Sequence, residues 1–327
     1  MTTPVHLTAA VRQLAQADFS TLARRFGAAG FGVAEPAPGM ITLTAPGATA
    51  RAAVLLSVGV HGDETAPIEM LAQLLDRLAP ASLTVDLMVC VGNIDAIARG
   101  QRFIDADLNR MFRAERGTLA AAAEAARADL MIAATSAFFA NAGPQRWHLD
   151  LHTAIRPSVY PTFAVVASLI ADGPRTQLVH WLGQAGIGAV ILNPQSAGTY
   201  SYYTAEHHGA AASTVELGRV GTLGENDLTQ FADVDAALDA LLRGLPAAAS
   251  RMPHVFEVAQ EIVKHSAAFT MAFGRDTQNF TAFEPGALIA TDGDVRWRVG
   301  EQAERVVFPN PDVRVGLRAG LMVVRTA

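Results

Sequence analysis

Cysteine is almost missing from this chain of 327 residues, with Cys90 its single example. No intrachain disulfide can form and no CxxC metal site exists. The setting of Cys90 in the apolar run Val85 to Val91 marks it as a small buried hydrophobe. Positive charge is also in short supply. Twenty-five Lys and Arg against 31 Asp and Glu give a net charge of −6. That balance argues against a broad nucleic-acid surface, which needs clustered cations, but not against a local basic pocket. Long apolar runs are lacking too. A membrane-spanning helix takes about 20 consecutive apolar residues, and the best run, Phe163 to Ala171, is far shorter. Residues 177–205 carry no Asp, Glu, Lys or Arg, yet Gln177, His180, Gln184, Asn193, Pro194, Gln195 and several glycines interrupt them. Met1 to Ser20 shows no basic start followed by an apolar block, the pattern of an export signal. The expectation is a soluble, cytoplasmic protein with neither membrane nor nucleic acid as partner, its oligomeric state left open.

What is present fits a globular protein. Half of the residues are apolar and 17% are charged, which excludes a wholly disordered chain, a collagen or a coiled-coil rod. Residues 1–50 form an N-terminal extension, with helical spacing from Val11 to Phe26 and a turn at Pro36-Ala37-Pro38-Gly39. Strands and helices then alternate. Ala52 to Val60 and Val85 to Val91 read as strands buried on both faces. Pro67 suits the first turn of a helix whose stripe is Ile68, Leu71, Leu74, Leu75 and Leu78. Ala120 to Phe139 predicts a helix. Trp147 to Leu151, Phe163 to Val166, Ala189 to Leu192 and Thr214 to Leu217 predict further strands, and Asp233 to Leu245 a last helix. This alternation predicts an α/β domain with a parallel or mixed sheet over residues 1–246. Beyond Pro246 the runs are short, β-rich and punctuated by turns such as Asp292-Gly293-Asp294. A small β-rich domain is expected over residues 247–327.

Four segments fall at strand ends, where open α/β sheets build their sites. In the first, Val58-Gly59-Val60 runs into His61-Gly62-Asp63-Glu64-Thr65. His61 and Glu64 across such a turn can reach one zinc ion, or they can be a solvated histidine beside a helix-start glutamate. Thr65 is expected to cap the helix. In the second, Trp147-His148-Leu149-Asp150-Leu151-His152-Thr153, period-2 alternation puts His148, Asp150 and His152 on one face. His152 can be a third zinc ligand, and a His₂Glu set leaves a coordination position open. Asp150 can orient a ligand or cap loop amides. His148 reads as a structural histidine outside the site. The third segment, Gln101 to Arg110, offers Arg102, Asn109 and Arg110 to an anionic substrate, or is a surface loop of Asp–Arg pairs. The fourth ends a strand at Val215-Glu216-Leu217-Gly218. Glu216 can relay a proton beside a metal or can be a solvent-facing edge residue.

Taken together and in this order, His61-Gly62-Asp63-Glu64, Asp107-Leu108-Asn109-Arg110, Asp150-Leu151-His152-Thr153 and Glu216 resemble the succinylglutamate desuccinylase/aspartoacylase family, a branch of the zinc carboxypeptidase-like fold. The likeness spans about residues 50 to 226, and the β-rich tail resembles the family's small C-terminal domain. The runs Asp150 to Arg156, Val215 to Gly218 and Gly224-Glu225-Asn226-Asp227 look closest to the desuccinylase members. The resemblance implies a mixed sheet flanked by helices and one Zn²⁺ held by His61, Glu64 and His152. It implies Glu216 as general base and acid, Asn109 and Arg110 for a substrate carboxylate, and Arg102 near the scissile carbonyl as an oxyanion stabiliser. The implied reaction is hydrolysis of N-succinyl-L-glutamate to succinate and L-glutamate, the last step of the succinyl route of arginine breakdown. Two rival readings stay open: an aspartoacylase-like N-acyl amino acid deacylase, and a non-catalytic protein that binds an acyl amino acid. Tyr200 to Tyr203, His207 and His208 receive no role.

Overall fold

The computed structural model describes residues 7–47, 51–246 and 251–326. The helical spacing of the N-terminal extension gives two helices, α1 (Ala9–Ala15) and α2 (Ser20–Ala28), because Ala17 turns the chain with a φ of 56° between them. A hairpin follows, β1 (Gly32–Ala37) and β2 (Met40–Thr44), with Pro36 still inside β1 and Gly39 supplying the positive φ of 73° at the turn. The alternating region then runs β3 (Ala53–Val58), α3 (Thr65–Arg77), β4 (Asp86–Val91), α4 (Ile94–Arg99), α5 (Ala123–Ala140), β5 (Arg146–Ala154), β6 (Thr162–Ala167), α6 (Asp172–Gln184), β7 (Ala189–Asn193), α7 (Tyr200–His208), β8 (Ala211–Arg219) and α8 (Ala232–Leu242). The uncharged stretch 177–205 is thus divided among α6, β7 and α7. No helix among the described residues is long and apolar enough to cross a membrane.

In β3 every residue is buried, and β4 is buried at all but its first residue, as expected for strands covered on both faces. Cys90 lies in that core. The strands β4, β3, β5 and β8 are parallel neighbours, so their carboxyl ends gather at one edge of the sheet. Four of the motif segments meet there.

The rest of the chain is β9 (His254–Val263), β10 (Thr270–Met271), β11 (Thr281–Phe283), β12 (Leu288–Asp292), β13 (Val295–Arg298), β14 (Glu304–Val307) and β15 (Arg318–Arg325). The boundary expected at residue 247 lies outside the described residues. Hydrogen bonding does not stop with the α/β region: β7 pairs with β9, and among the described residues one sheet of 12 strands runs β1-β2-β4-β3-β5-β8-β6-β7-β9-β15-β14-β11. β10, β12 and β13 form a separate small sheet. Between the two β layers, Ile262, Phe269, Ile289, Val306 and Met322 pack as an apolar cluster of their own.

Candidate active site

Each site residue is placed by a short device of local sequence. After β3, the segment from His61 to Glu64 makes a tight turn into α3. Gly62 is needed there by crowding: a Cβ on it would sit 2.3 Å from backbone atoms of Ala96 and Ile97. Glu64 occupies the cap position of α3, yet its side chain caps nothing. It swings into the site instead. The expected capping role of Thr65 is not found, because Thr65 is the first helical residue and its hydroxyl donates to the Gly221 carbonyl at 2.8 Å. On β5, period 2 places His148, Asp150 and His152 on one face as predicted, and α7 covers that face through Thr204 and Tyr200.

Three of the predicted residues come together. His61 Nδ1 lies 2.8 Å from one oxygen of Glu64, and His152 Nδ1 lies 2.9 Å from the other. Ligand atoms of His61, Glu64 and His152 all fall within 4.8 Å of one another, and all three residues are buried. The far nitrogen of each ring meets a carboxylate: His61 Nε2 with Asp107 at 2.9 Å and His152 Nε2 with Asp150 at 2.9 Å. Such partners favour a proton on Nε2 and leave both Nδ1 atoms turned to the Glu64 oxygens. A cluster of electron-rich atoms this close needs a shared proton or a cation to hold it together. Two imidazole nitrogens and a carboxylate form the donor set of a catalytic zinc site.

Charge in the cluster is heavily coupled. Burial opposes protonation of His152, but the Asp150 and Glu64 charges outweigh it and hold its pKa well above the ordinary value. His61 is raised in the same way, with Glu64 and then Asp107 outweighing burial. Glu64 lies well below the usual carboxylate range because the two histidines overcome its burial. The backbone N–H of Thr153 also donates to Glu64, at 2.9 Å.

Glu216 sits on a central strand rather than an edge, directly across from His152 in the β5–β8 ladder. It is 7% exposed, and its Oε2 is buried without a hydrogen-bond partner among the described residues. Burial first, and the Glu64 charge second, push its pKa up to about 7. A carboxylate poised there can take a proton and return it near neutral pH.

The remaining predicted residues line one loop. Arg102 donates from Nη1 to Glu64 at 2.7 Å, so it faces the candidate metal ligand itself. Asn109 is buried, and its Oδ1 accepts from the Tyr200 N–H at 2.9 Å. That bond fixes the amide orientation and leaves Nδ2 without a partner among the described residues. Arg110 is about one-third exposed and donates to the Asn109 carbonyl at 2.7 Å. Gly198 presses against it with a φ of +72°, where a Cβ would meet the Arg110 carbonyl oxygen at 2.6 Å.

Sequence reasoning missed Glu124. Its carboxylate, 2% exposed, accepts from the backbone N–H groups of Ile104, Asp105 and Ala106 and from Asn93 Nδ2. In return, Asp105 accepts from the N–H of Ala123 at 3.0 Å, beside Glu124 in the first turn of α5. The two carboxylates lace the Arg102–Arg110 loop to that helix. Only the position of Glu124 at a helix start hinted at a role, and that is common. His207 and His208 lie at the far end of α7. The His208 carbonyl accepts from Arg146, which begins β5 and is some six residues, roughly 20 Å, from His152.

Comparison with known proteins finds matches over both regions of the chain. Residues 50–242 match the family model "Succinylglutamate desuccinylase/Aspartoacylase catalytic domain". Residues 251–326 match "AstE/AspA barrel-sandwich hybrid domain". A succinylglutamate desuccinylase from Burkholderia orbicola is 48% identical over 284 residues, covering 85% of this chain and 83% of the relative. The crystal structure of succinylglutamate desuccinylase from Vibrio cholerae superposes with a TM-score of 0.81 at 35% identity, covering 88% of this chain and 85% of that one. The corresponding structure from Chromobacterium violaceum gives a TM-score of 0.78 at 37% identity, covering 91% and 92%. The chain belongs to the succinylglutamate desuccinylase/aspartoacylase family.

Proposed function

We propose that this chain is a zinc-dependent amide hydrolase that converts N-succinyl-L-glutamate and water to succinate and L-glutamate. The observation that carries the mechanism is the unpartnered Glu216 carboxylate oxygen, buried beside the His61, Glu64 and His152 set. A zinc ion held by those three residues would polarise the amide carbonyl and acidify water at the site. Glu216 accepts the proton that the attacking water loses and delivers it to the amide nitrogen, which leaves as the amine of glutamate. Atoms balance: one water adds across the C–N bond, its hydroxyl to the succinyl carbon and its hydrogen to nitrogen.

The substrate carries three carboxylates, and the loop answers with cations. Arg110 offers a guanidinium fork to one carboxylate, and Asn109 Nδ2 adds a directed donor. A cation among the ligands would compete with Arg102 for Glu64, leaving the guanidinium available to charge developing at the carbonyl oxygen. Residues 1–246 would form the hydrolase domain and 247–327 the small β-rich one, a division supported by the separate apolar cluster of Ile262, Phe269, Ile289, Val306 and Met322 and by the two family matches. A place at the end of the succinyl route of arginine breakdown and a cytoplasmic location go with this reading.

The test is a panel of N-succinylglutamate, N-acetylaspartate, N-acetylglutamate and a short peptide compared by kcat/KM on zinc-loaded protein. N-succinylglutamate should lead by at least about tenfold, since leaving one buried polar group unpaired costs that much or more. A lead for N-acetylaspartate would move the chain to the aspartoacylase side of the family. No turnover of any of the four would favour a binding protein.

A further inference from the structure

A line of buried polar groups runs behind His152, and neither the reaction nor the loop uses it. Ser57, His148 and Asp150 are fully buried, and so is Thr204. Ser57 stands opposite Asp150 in the β3–β5 ladder, and His148 lies two residues before Asp150 on the same face. Ser57 Oγ is 2.5 Å from Asp150 Oδ1 and 2.8 Å from His148 Nε2. His148 Nδ1 is 2.8 Å from Thr204 Oγ1.

Counting protons gives the line one direction. The Asp150 carboxylate can only accept, so the single Ser57 hydroxyl proton points to it. Ser57 Oγ is then an acceptor, and His148 Nε2 must carry the N–H that it receives. Burial lowers the pKa of His148 to about 4, so its other nitrogen keeps a lone pair for the Thr204 hydroxyl. That hydroxyl also lies 2.9 Å from the Ser201 carbonyl. The hydroxyl donates to that carbonyl as well, so its one hydrogen is shared between the two acceptors. The hydrogens therefore run from His148 to Ser57 and from Ser57 to Asp150. The second oxygen of Asp150 is left to receive His152 Nε2–H at 2.9 Å.

An arrangement of this kind is a poor way to add stability. Buried polar groups replaced by apolar ones of like shape are often neutral or stabilising. What it does supply is a fixed plane for the Asp150 carboxylate, and through it a fixed tautomer and ring orientation for His152. We propose that Ser57 and His148 are positioning residues that hold His152 ready, through Asp150, to bind a metal ion by Nδ1. This rests on the zinc site proposed above.

The hydroxyl can be isolated by comparing Ser57→Thr with Ser57→Val, which add the same bulk and differ in the hydroxyl alone. Ser57→Ala adds no bulk and serves if the larger side chains prevent folding. The dissociation constant for zinc is read by competition with a chromophoric chelator, alongside the melting temperatures of metal-free and zinc-loaded protein. Ser57→Val and Ser57→Ala should bind zinc about 10- to 100-fold more weakly than the unsubstituted chain, the usual effect of losing an outer partner. Ser57→Thr should stay within about threefold. Wild-type affinity in either hydroxyl-free variant overturns the proposal, whatever its melting temperature, and so does a threonine variant as weak as the valine one. Failure of the unsubstituted chain to bind zinc would instead overturn the reading of the site itself.

Discussion

The Nδ1 atoms of His61 and His152 lie 3.2 Å apart, each turned toward a different oxygen of the same Glu64 carboxylate. With Asp107 and Asp150 holding protons on the far nitrogens, two lone pairs face each other at that separation. Only a shared proton or a cation makes the arrangement favourable. His152→Ala takes away one lone pair and leaves Asp150 without its Nε2–H partner. The variant should lose most bound zinc while keeping its secondary structure, since His152 stands at a strand end with β5 and β8 paired below it. Metal content by atomic absorption with circular dichroism on the same sample decides the point. Full zinc occupancy would remove His152 from the ligand set.

Arg110 is expected to act on binding rather than on chemistry. A guanidinium–carboxylate contact exists in the ground state and the transition state alike, so its loss raises KM and leaves kcat near its starting value. Hydrogen bonds to charged groups are worth roughly 1.5–3 kcal/mol, or about 10- to 100-fold. Arg110→Ala should show that rise in KM for N-succinylglutamate. Its partial exposure makes a folding defect small. An unchanged KM would make Arg110 a loop residue that merely pairs with Asp107.

Glu124 gives a prediction of the opposite kind. Glu124→Gln keeps one acceptor oxygen and turns an NH₂ group toward backbone donors that now point at a carboxylate oxygen. At least one buried N–H is left unsatisfied, a loss of about 1–3 kcal/mol. The urea midpoint should fall accordingly with an unchanged slope. Because the same loop carries Arg102 and Asp107, kcat/KM should fall as well, by roughly tenfold, a cost of about 1.4 kcal/mol. Wild-type stability together with wild-type kcat/KM would show that the loop holds its shape without this carboxylate.

The contrast between Glu124 and His152 shows which parts of the site were legible in the sequence. His152 announces itself because period-2 alternation in an apolar strand makes a polar face costly, and the cost asks for a reason. The parallel strands β3, β4, β5 and β8 were readable on the same grounds, as short apolar runs each ending in polar residues. Glu124 interrupts an alanine-rich helix start, a place where acidic residues are common for the dipole alone, and its partners are 18 to 31 residues away. The helix α7 was hidden for a related reason. Tyr200-Ser201-Tyr202-Tyr203-Thr204 has no apolar stripe, and it is buried on both sides by Asn109, His148 and Thr214 contacts that only the assembled sheet provides. Thr65 misled because Ser and Thr at a helix start usually cap, whereas here the cap position belongs to Glu64, which is drawn away by two histidines and an arginine.

Glu216 carries the sharpest prediction. An amide leaves only after its nitrogen is protonated, and a metal ion, which can polarise a carbonyl, carries no proton to that nitrogen. Glu216 stands across the ladder from His152 with one oxygen unpartnered, so a carboxylate oxygen is already free to receive a proton. Glu216→Gln is nearly isosteric and keeps an acceptor oxygen, yet it cannot take up and return that proton. The variant should keep its zinc and bind N-succinylglutamate with a Kd near that of the unsubstituted chain, while kcat falls by at least ~100-fold, the lower end of general acid–base contributions. Zinc content, Kd and kcat must come from one preparation, because the three together separate the roles. Near-normal turnover would pass the proton transfer to another residue. Lost zinc with lost turnover would make Glu216 a metal ligand and require the set of His61, Glu64 and His152 to be redrawn.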